Sequence, residues 1–234
     1  MTRTTNARLA GGAFLLYIVV GIGQMVVSRG STAGEGAAAK LVSIAAHAPQ
    51  IRVNLLLALI VCVTALTLAV ALYGLTRDED RDIAMLALVC RCIEGATPVV
   101  SLVATLSLLW LATSSEAAAL DRATVHPLVV LLLQARGSIS LLGAIFFSVG
   151  STLFAWLFLR GRLIPRSLAW LGVAASLLLV VGLPLELVGL LRGPITQVIW
   201  LPMAAFEVPL GIWLLTKGVA RRDVQMRDAG QPFG

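Results

Sequence analysis

Three glutamates of this chain lie inside apolar stretches, and each has a proline within four residues. Glu94 precedes Pro98, Glu186 follows Pro184, and Glu207 lies between Pro202 and Pro209. The other membrane-length stretches contain neither an internal glutamate nor an internal proline. A charged side chain at the centre of a bilayer costs about 2.5–3.5 kcal/mol even on insertion scales, so such groups face a protein interior or a wet cavity and find partners there. Arg91 stands three residues before Glu94, on the same side of a helix, so the two side chains can meet. Pro98 has no N–H, which leaves the carbonyl of Glu94 without its usual helical bond. A cation, an anion and a backbone acceptor are thus expected at one level, with Glu207 at a similar depth and within reach of the same arginine. One guanidinium cannot balance two carboxylates, and a shared proton would complete the centre. That arrangement suits a proton-coupled carrier, a general acid, a site for a small ligand, or an ion-pair network that only sets helix register.

A second polar pair is expected at the outer face, where Arg136 and Glu186 fall at similar depths and could anchor the chain between them. Gln24 and Asn54 add polar groups at or near membrane depth. Small residues repeat at spacings of three and four at Gly137, Ser140, Ala144, Ser148, Ser151 and Ala155, a stripe that permits close helix approach.

These residues must be positioned by membrane helices. Apolar residues make up 59% of the 234-residue chain and charged residues only 13%, about half the charge of a soluble domain. The fold expected is all-α: a polytopic transmembrane bundle of about six spanning helices, at residues 9–28, 53–75, 83–112, 137–159, 167–191 and 196–215, in one domain over residues 1–218. The charged turn Arg77-Asp78-Glu79-Asp80-Arg81-Asp82 separates the second from the third. The apolar stretch 127–159 would be roughly 50 Å long as one helix, more than the ~30 Å hydrocarbon core. A break at Arg136-Gly137 is therefore expected, with 127–135 a short interfacial or re-entrant piece. Pro49 is expected to close a short helical stretch after the first span, and residues 219–234 to form a basic tail.

Arginine and lysine set the orientation. With the N-terminus inside, eleven of them fall on the cytoplasmic side and five outside, which places both termini in the cytoplasm. The sixteen arginines against two lysines, among many Ala, Leu and Val, point to a bacterial source, and hence to the inner membrane.

The segment Arg162-Leu-Ile-Pro-Arg-Ser-Leu-Ala-Trp-Leu-Gly172 and the ending Glu207-Val-Pro-Leu-Gly-Ile-Trp-Leu-Leu-Thr-Lys-Gly218 resemble the bacterial domain-of-unknown-function family 4386. Leu72-Tyr73 and Arg91-Cys-Ile-Glu94 resemble it more weakly, and the likeness runs over about residues 8–218. The resemblance implies a six-helix inner-membrane protein with no assigned activity. Where that family tends to carry a histidine early in the fourth apolar segment, this chain has Gln134.

Several function classes find no support. The net charge of +6 sits at helix ends, with no basic domain or aromatic interleaving to hold a nucleic acid. Cys62, Cys90 and Cys92 lie in apolar segments and read as small core residues. His47 and His126, the only histidines, show no metal-ligand spacing, so neither a metal nor any other cofactor is expected. No nucleotide-binding glycine loop or Ser-His-Asp arrangement is visible, which leans against an enzyme and leaves an intramembrane enzyme as the third reading. The partners expected are the lipid bilayer, a small molecule or proton, and a second copy or another membrane protein. A sensor or partner subunit whose buried charges only fix packing is the competing reading.

Overall fold

A computed structural model describes residues 2–118 and 121–220 of the chain. The described residues form helices and connecting turns, with no strand among them. In chain order the helices are α1 (Arg3–Val27), α2 (Gly36–Ala46), α3 (Ala48–Thr76), α4 (Arg81–Thr113), α5 (Ser115–Ala118), α6 (Arg122–Arg160), α7 (Arg166–Leu187), α8 (Ile195–Val198) and α9 (Leu201–Thr216). Among the described residues six stretches are long and apolar enough to cross a membrane: α1, α3, α4, α6, α7, and residues 195–216, which take in α8 and α9.

The six long helices close into a ring in chain order. α1 packs on α3, α3 on α4, α4 on α6, α6 on α7, α7 on α9, and α9 returns to α1. The ring places α4 and α9, which carry Glu94 and Glu207, opposite one another. Its outer surface is apolar, with Val19, Ile22, Val63, Val70, Val103 and Val181 all exposed. Buried polar groups, including Arg91, Glu94, Glu207, Ser148, Ser151 and Ser176, face inward. Apolar residues outside and charges within are the arrangement that lipid, and not water, selects.

Local chemistry sets the helix ends. The Asp80 side chain accepts from the backbone N–H of Ile83 at 3.2 Å and caps α4. It also accepts from Arg160 at 3.0 Å, while Arg3 reaches Glu79 at 3.8 Å, so the charged turn ties together the ends of α1, α3, α4 and α6. Pro49 opens α3 instead of closing the preceding stretch, which ends at Ala46. In the first turn of a helix the missing proline N–H costs nothing. α7 stops at Leu187, four residues short of the expected 191, because Gly189 turns left-handed (φ +77°) and Leu190 N–H bonds the Leu185 carbonyl.

The expected break at Arg136-Gly137 does not occur: α6 runs unbroken from Arg122 to Arg160. One glycine costs a helix only about 1 kcal/mol, too little to end it, and arginine is a good helix former. The excess length is absorbed by extension. Val129 packs with Leu108 and Leu109 of α4 and with Ala37 and Ile44 of α2 in a second, smaller core. Residues 127–135 are thus part of the N-terminal end of α6, held in a helical cap, and not a separate interfacial or re-entrant piece. The expected tail lies, from residue 221 on, outside the described residues.

Candidate functional site

Arg91 is the largest of the fully buried side chains, 1% exposed, and sits about a third of the way along α4. Its Nη1 lies 3.6 Å from Oε2 of Glu94, the partner expected from the three-residue spacing. The guanidinium carbon stands 4.6 Å from the ring centroid of Phe147 on α6, within cation–π range. The arginine stem passes against Gly150, where a Cβ would stand 2.9 Å from the arginine Cγ. None of the three guanidinium nitrogens has a hydrogen-bond partner among the described residues. The charge is therefore met by one carboxylate and one aromatic face.

Glu94 is held from a third helix: the Tyr17 hydroxyl on α1 donates to Oε1 at 2.9 Å. Its other oxygen, Oε2, faces Arg91 and has no hydrogen bond. The backbone carbonyl of Glu94, freed by Pro98, is not spare. The Thr97 hydroxyl donates to it at 2.6 Å and replaces the bond that proline cannot make. Expectation and structure differ here because a threonine immediately before a proline can serve the carbonyl that the proline abandons.

Glu207 on α9 is 8% exposed and makes no hydrogen bond or ion pair with any described residue. Arg91 is thus paired with Glu94 alone. Glu207 and Arg91 nonetheless line one small cavity, whose other walls include Phe14, Phe154, Phe158 and Phe206. Its volume is about 10 Å³, close to the minimum for a single water. The cavity thus sets one carboxylate, Glu207, and one cation, Arg91, on a space the size of a single water, while Glu94 and Tyr17 reach the centre through Arg91 and through each other.

The outer pair is not formed: Arg136 and Glu186 make no ion pair. Glu186 stays half-buried near the end of α7. Arg136 turns instead toward α1, α3 and α4, where with Gln24 and Asn54 it lines a polar cavity of about 210 Å³. Matching depth along two helices says nothing of azimuth, and the unbroken α6 sets the azimuth of Arg136. Gln24 Nε2 donates weakly to the Asn54 carbonyl at 3.5 Å.

The profile described as "Domain of unknown function (DUF4386)" matches residues 9–218. The chain belongs to the DUF4386 family. No curated protein and no solved structure matches it. Membership in DUF4386 thus accounts for the whole ring, from α1 to the end of α9, and assigns no activity to its centre. Tyr17, Phe147, Thr97 and Gly150 are parts of this DUF4386 centre that spacing alone did not single out. The signal for Tyr17 was available: it is one of only two tyrosines, and it sits in an otherwise apolar run.

Proposed function

We propose that this DUF4386 member is a multi-pass protein of a bacterial cytoplasmic membrane whose Arg91–Glu94–Glu207 centre takes up and releases a proton. Six crossings put both termini on one side, and the excess of Arg and Lys at that end supports placing it in the cytoplasm.

One observation carries the reading. Glu207 is buried beside the only cation of the centre, yet that cation is already engaged by Glu94. With both carboxylates ionised the centre has net charge −1, and with one proton it is neutral. An uncompensated charge in such a site is costly, so the proton count of the centre is tied to its electrostatics. The groups that face it are Tyr17 from α1, Arg91, Glu94 and the Cys92 thiol from α4, and Glu207 from α9. α6 contributes Phe147 and Ser151, without formal charge. Position in the ring adds support. The third and sixth spans carry the two glutamates and face one another, which suits a proton site between two halves of a carrier.

Infrared difference titration of the purified protein in lipid tests the proposal. A protonated-carboxyl band should grow as the pH falls, and Glu207→Gln should remove it. A band that survives both Glu94→Gln and Glu207→Gln, or no titrating band at all, sinks the proposal. The contact of Arg91 with Phe147 favours a second reading, a sensor or partner subunit whose buried charges only hold α1, α4 and α6 together. Under that reading the two substitutions change stability and leave the infrared titration flat.

A further inference from the structure

The larger polar cavity lies between α1, α3, α4 and α6 and meets the proton centre at Thr97. Arg136 lies 24 residues before the end of α6 at Arg160, about 36 Å along the helix. That distance slightly exceeds the ~30 Å hydrocarbon core, so the cavity stands at the level of the outer headgroups. It is lined by Arg136, Gln24, Asn54, Ser101, Thr105 and Ser140, with Thr97 and Pro98 of the α4 kink at its edge. Ser140 is exposed, which leaves the cavity open on that side.

Three features specify what it would hold. First, it has a cation and no acid: no aspartate or glutamate lines it, and Arg136 makes no hydrogen bond or ion pair with any described residue. Second, donors surround that cation. The Ser101 and Ser140 hydroxyls have no partner among the described residues, and the Gln24 amide makes only one long contact. Third, one acceptor is orphaned. Asn54 Oδ1 is buried and has no hydrogen-bond partner among the described residues, an arrangement that is costly unless a donor fills it. Its volume of about 210 Å³ falls below the roughly 300–1,000 Å³ of pockets for drug-sized ligands.

From this geometry we infer a binding site for a small hydroxylated anion. A phosphate or carboxylate group pairs with the Arg136 guanidinium, and a ligand hydroxyl donates to Asn54 Oδ1. Two sources supply that chemistry: the headgroup of a phospholipid such as phosphatidylglycerol, and a free phosphate ester of a small polyol. The two sites share Thr97, but the inference does not rest on the proton reading, and its failure would leave that reading untouched.

The test has two arms on the purified full-length protein. In the lipid arm, nanodiscs of phosphatidylglycerol diluted in phosphatidylcholine report retained lipid by native mass spectrometry. In the soluble arm, glycerol 3-phosphate is titrated against the protein in an uncharged detergent. Binding in either arm should weaken about tenfold or more in Arg136→Gln, as expected on losing a charge-assisted hydrogen bond. Ser101→Leu, which fills the cavity and keeps the arginine, should weaken it as well. It also serves as the decisive variant if Arg136→Gln fails to fold. The arm that responds identifies the source. No binding in either arm, or binding that neither variant weakens, overturns the inference.

Discussion

Arg91 and Glu207 line one small cavity from opposite sides of the helix ring, yet they form no ion pair, because the guanidinium is held by Glu94 on its own helix. The two glutamates are therefore unequal. Removing the charge of Glu94 strands a fully buried arginine, and breaking such a pair typically costs about 3–5 kcal/mol. Glu94→Gln should lower the thermal midpoint of the detergent-solubilised protein markedly. Glu207→Gln removes a carboxylate with no partner and should leave the midpoint unchanged or raised. Equal losses in the two variants would show that Arg91 is shared.

Tyr17 should matter through its hydroxyl alone. Tyr17→Phe keeps the ring and deletes the bond to Glu94 Oε1, so a loss of about 1.5–3 kcal/mol is expected for a hydrogen bond to a charged group. In a double-mutant cycle with Glu94→Gln the two losses should be strongly non-additive, since both remove one interaction. Additive losses would mean that the hydroxyl serves some other partner.

Much of this was legible before any coordinates. The six spans follow from apolar length, and the Arg91–Glu94 pair from a spacing of three on a helix. The charged turn 77–82 ends one helix and caps the next, as its composition implies. What was not legible depends on azimuth and on distant chain neighbours. The length of α6 exceeds the bilayer, and a break at Arg136-Gly137 was the local way to accommodate it. The actual accommodation is tertiary, through the cap of α2, α4 and α6 around Val129. Likewise the stripe from Gly137 to Ala155 marks a packed face only in part. Ser148, Ser151 and Ala155 are buried, whereas Gly137 and Ser140 are exposed. Gly143 and Gly150, seven apart and outside that stripe, press α6 against Thr97 and Arg91 of α4, a contact that only the azimuth of the folded helix reveals.

Ring closure between the first and last spans rests on Gly11. A Cβ there would stand 2.5 Å from the Leu215 nitrogen and 2.7 Å from the Gly211 carbonyl oxygen, both backbone atoms that cannot rotate aside. Gly11→Ala should cost about 1–3 kcal/mol through overpacking and separate α1 from α9. The adjacent Gly12 has open space around its Cβ direction. Gly12→Ala should therefore be neutral or stabilising by up to about 1 kcal/mol, through helix propensity alone. Thermal unfolding of the pair in the same detergent separates backbone contact from propensity; equal midpoints would argue against a tight α1–α9 seam.

Two helix ends use the same left-handed cap with opposite residue choices, which makes their substitutions opposite in sign. Gly189 (φ +77°) stands two residues beyond the end of α7, and Arg162 (φ +50°) two beyond the end of α6, where Leu163 N–H bonds the Phe158 carbonyl. A left-handed residue with a Cβ costs about 1–2 kcal/mol, and glycine avoids that cost. Against this stands the larger unfolded-state entropy of glycine, about 0.4–1 kcal/mol. Arg162→Gly should thus stabilise by roughly 0.5–1 kcal/mol, a side chain exposed at the turn being lost at little expense. Gly189→Ala should destabilise by a similar amount, since the new Cβ meets only the flexible end of Arg192, 2.7 Å away, which can move. Thermal midpoints of both variants against the parent check the signs. If Arg162→Gly falls instead, the arginine holds the α6–α7 turn by contacts of its own, and its place in the Arg162-Leu-Ile-Pro-Arg166 motif then owes more to its side chain than to the turn.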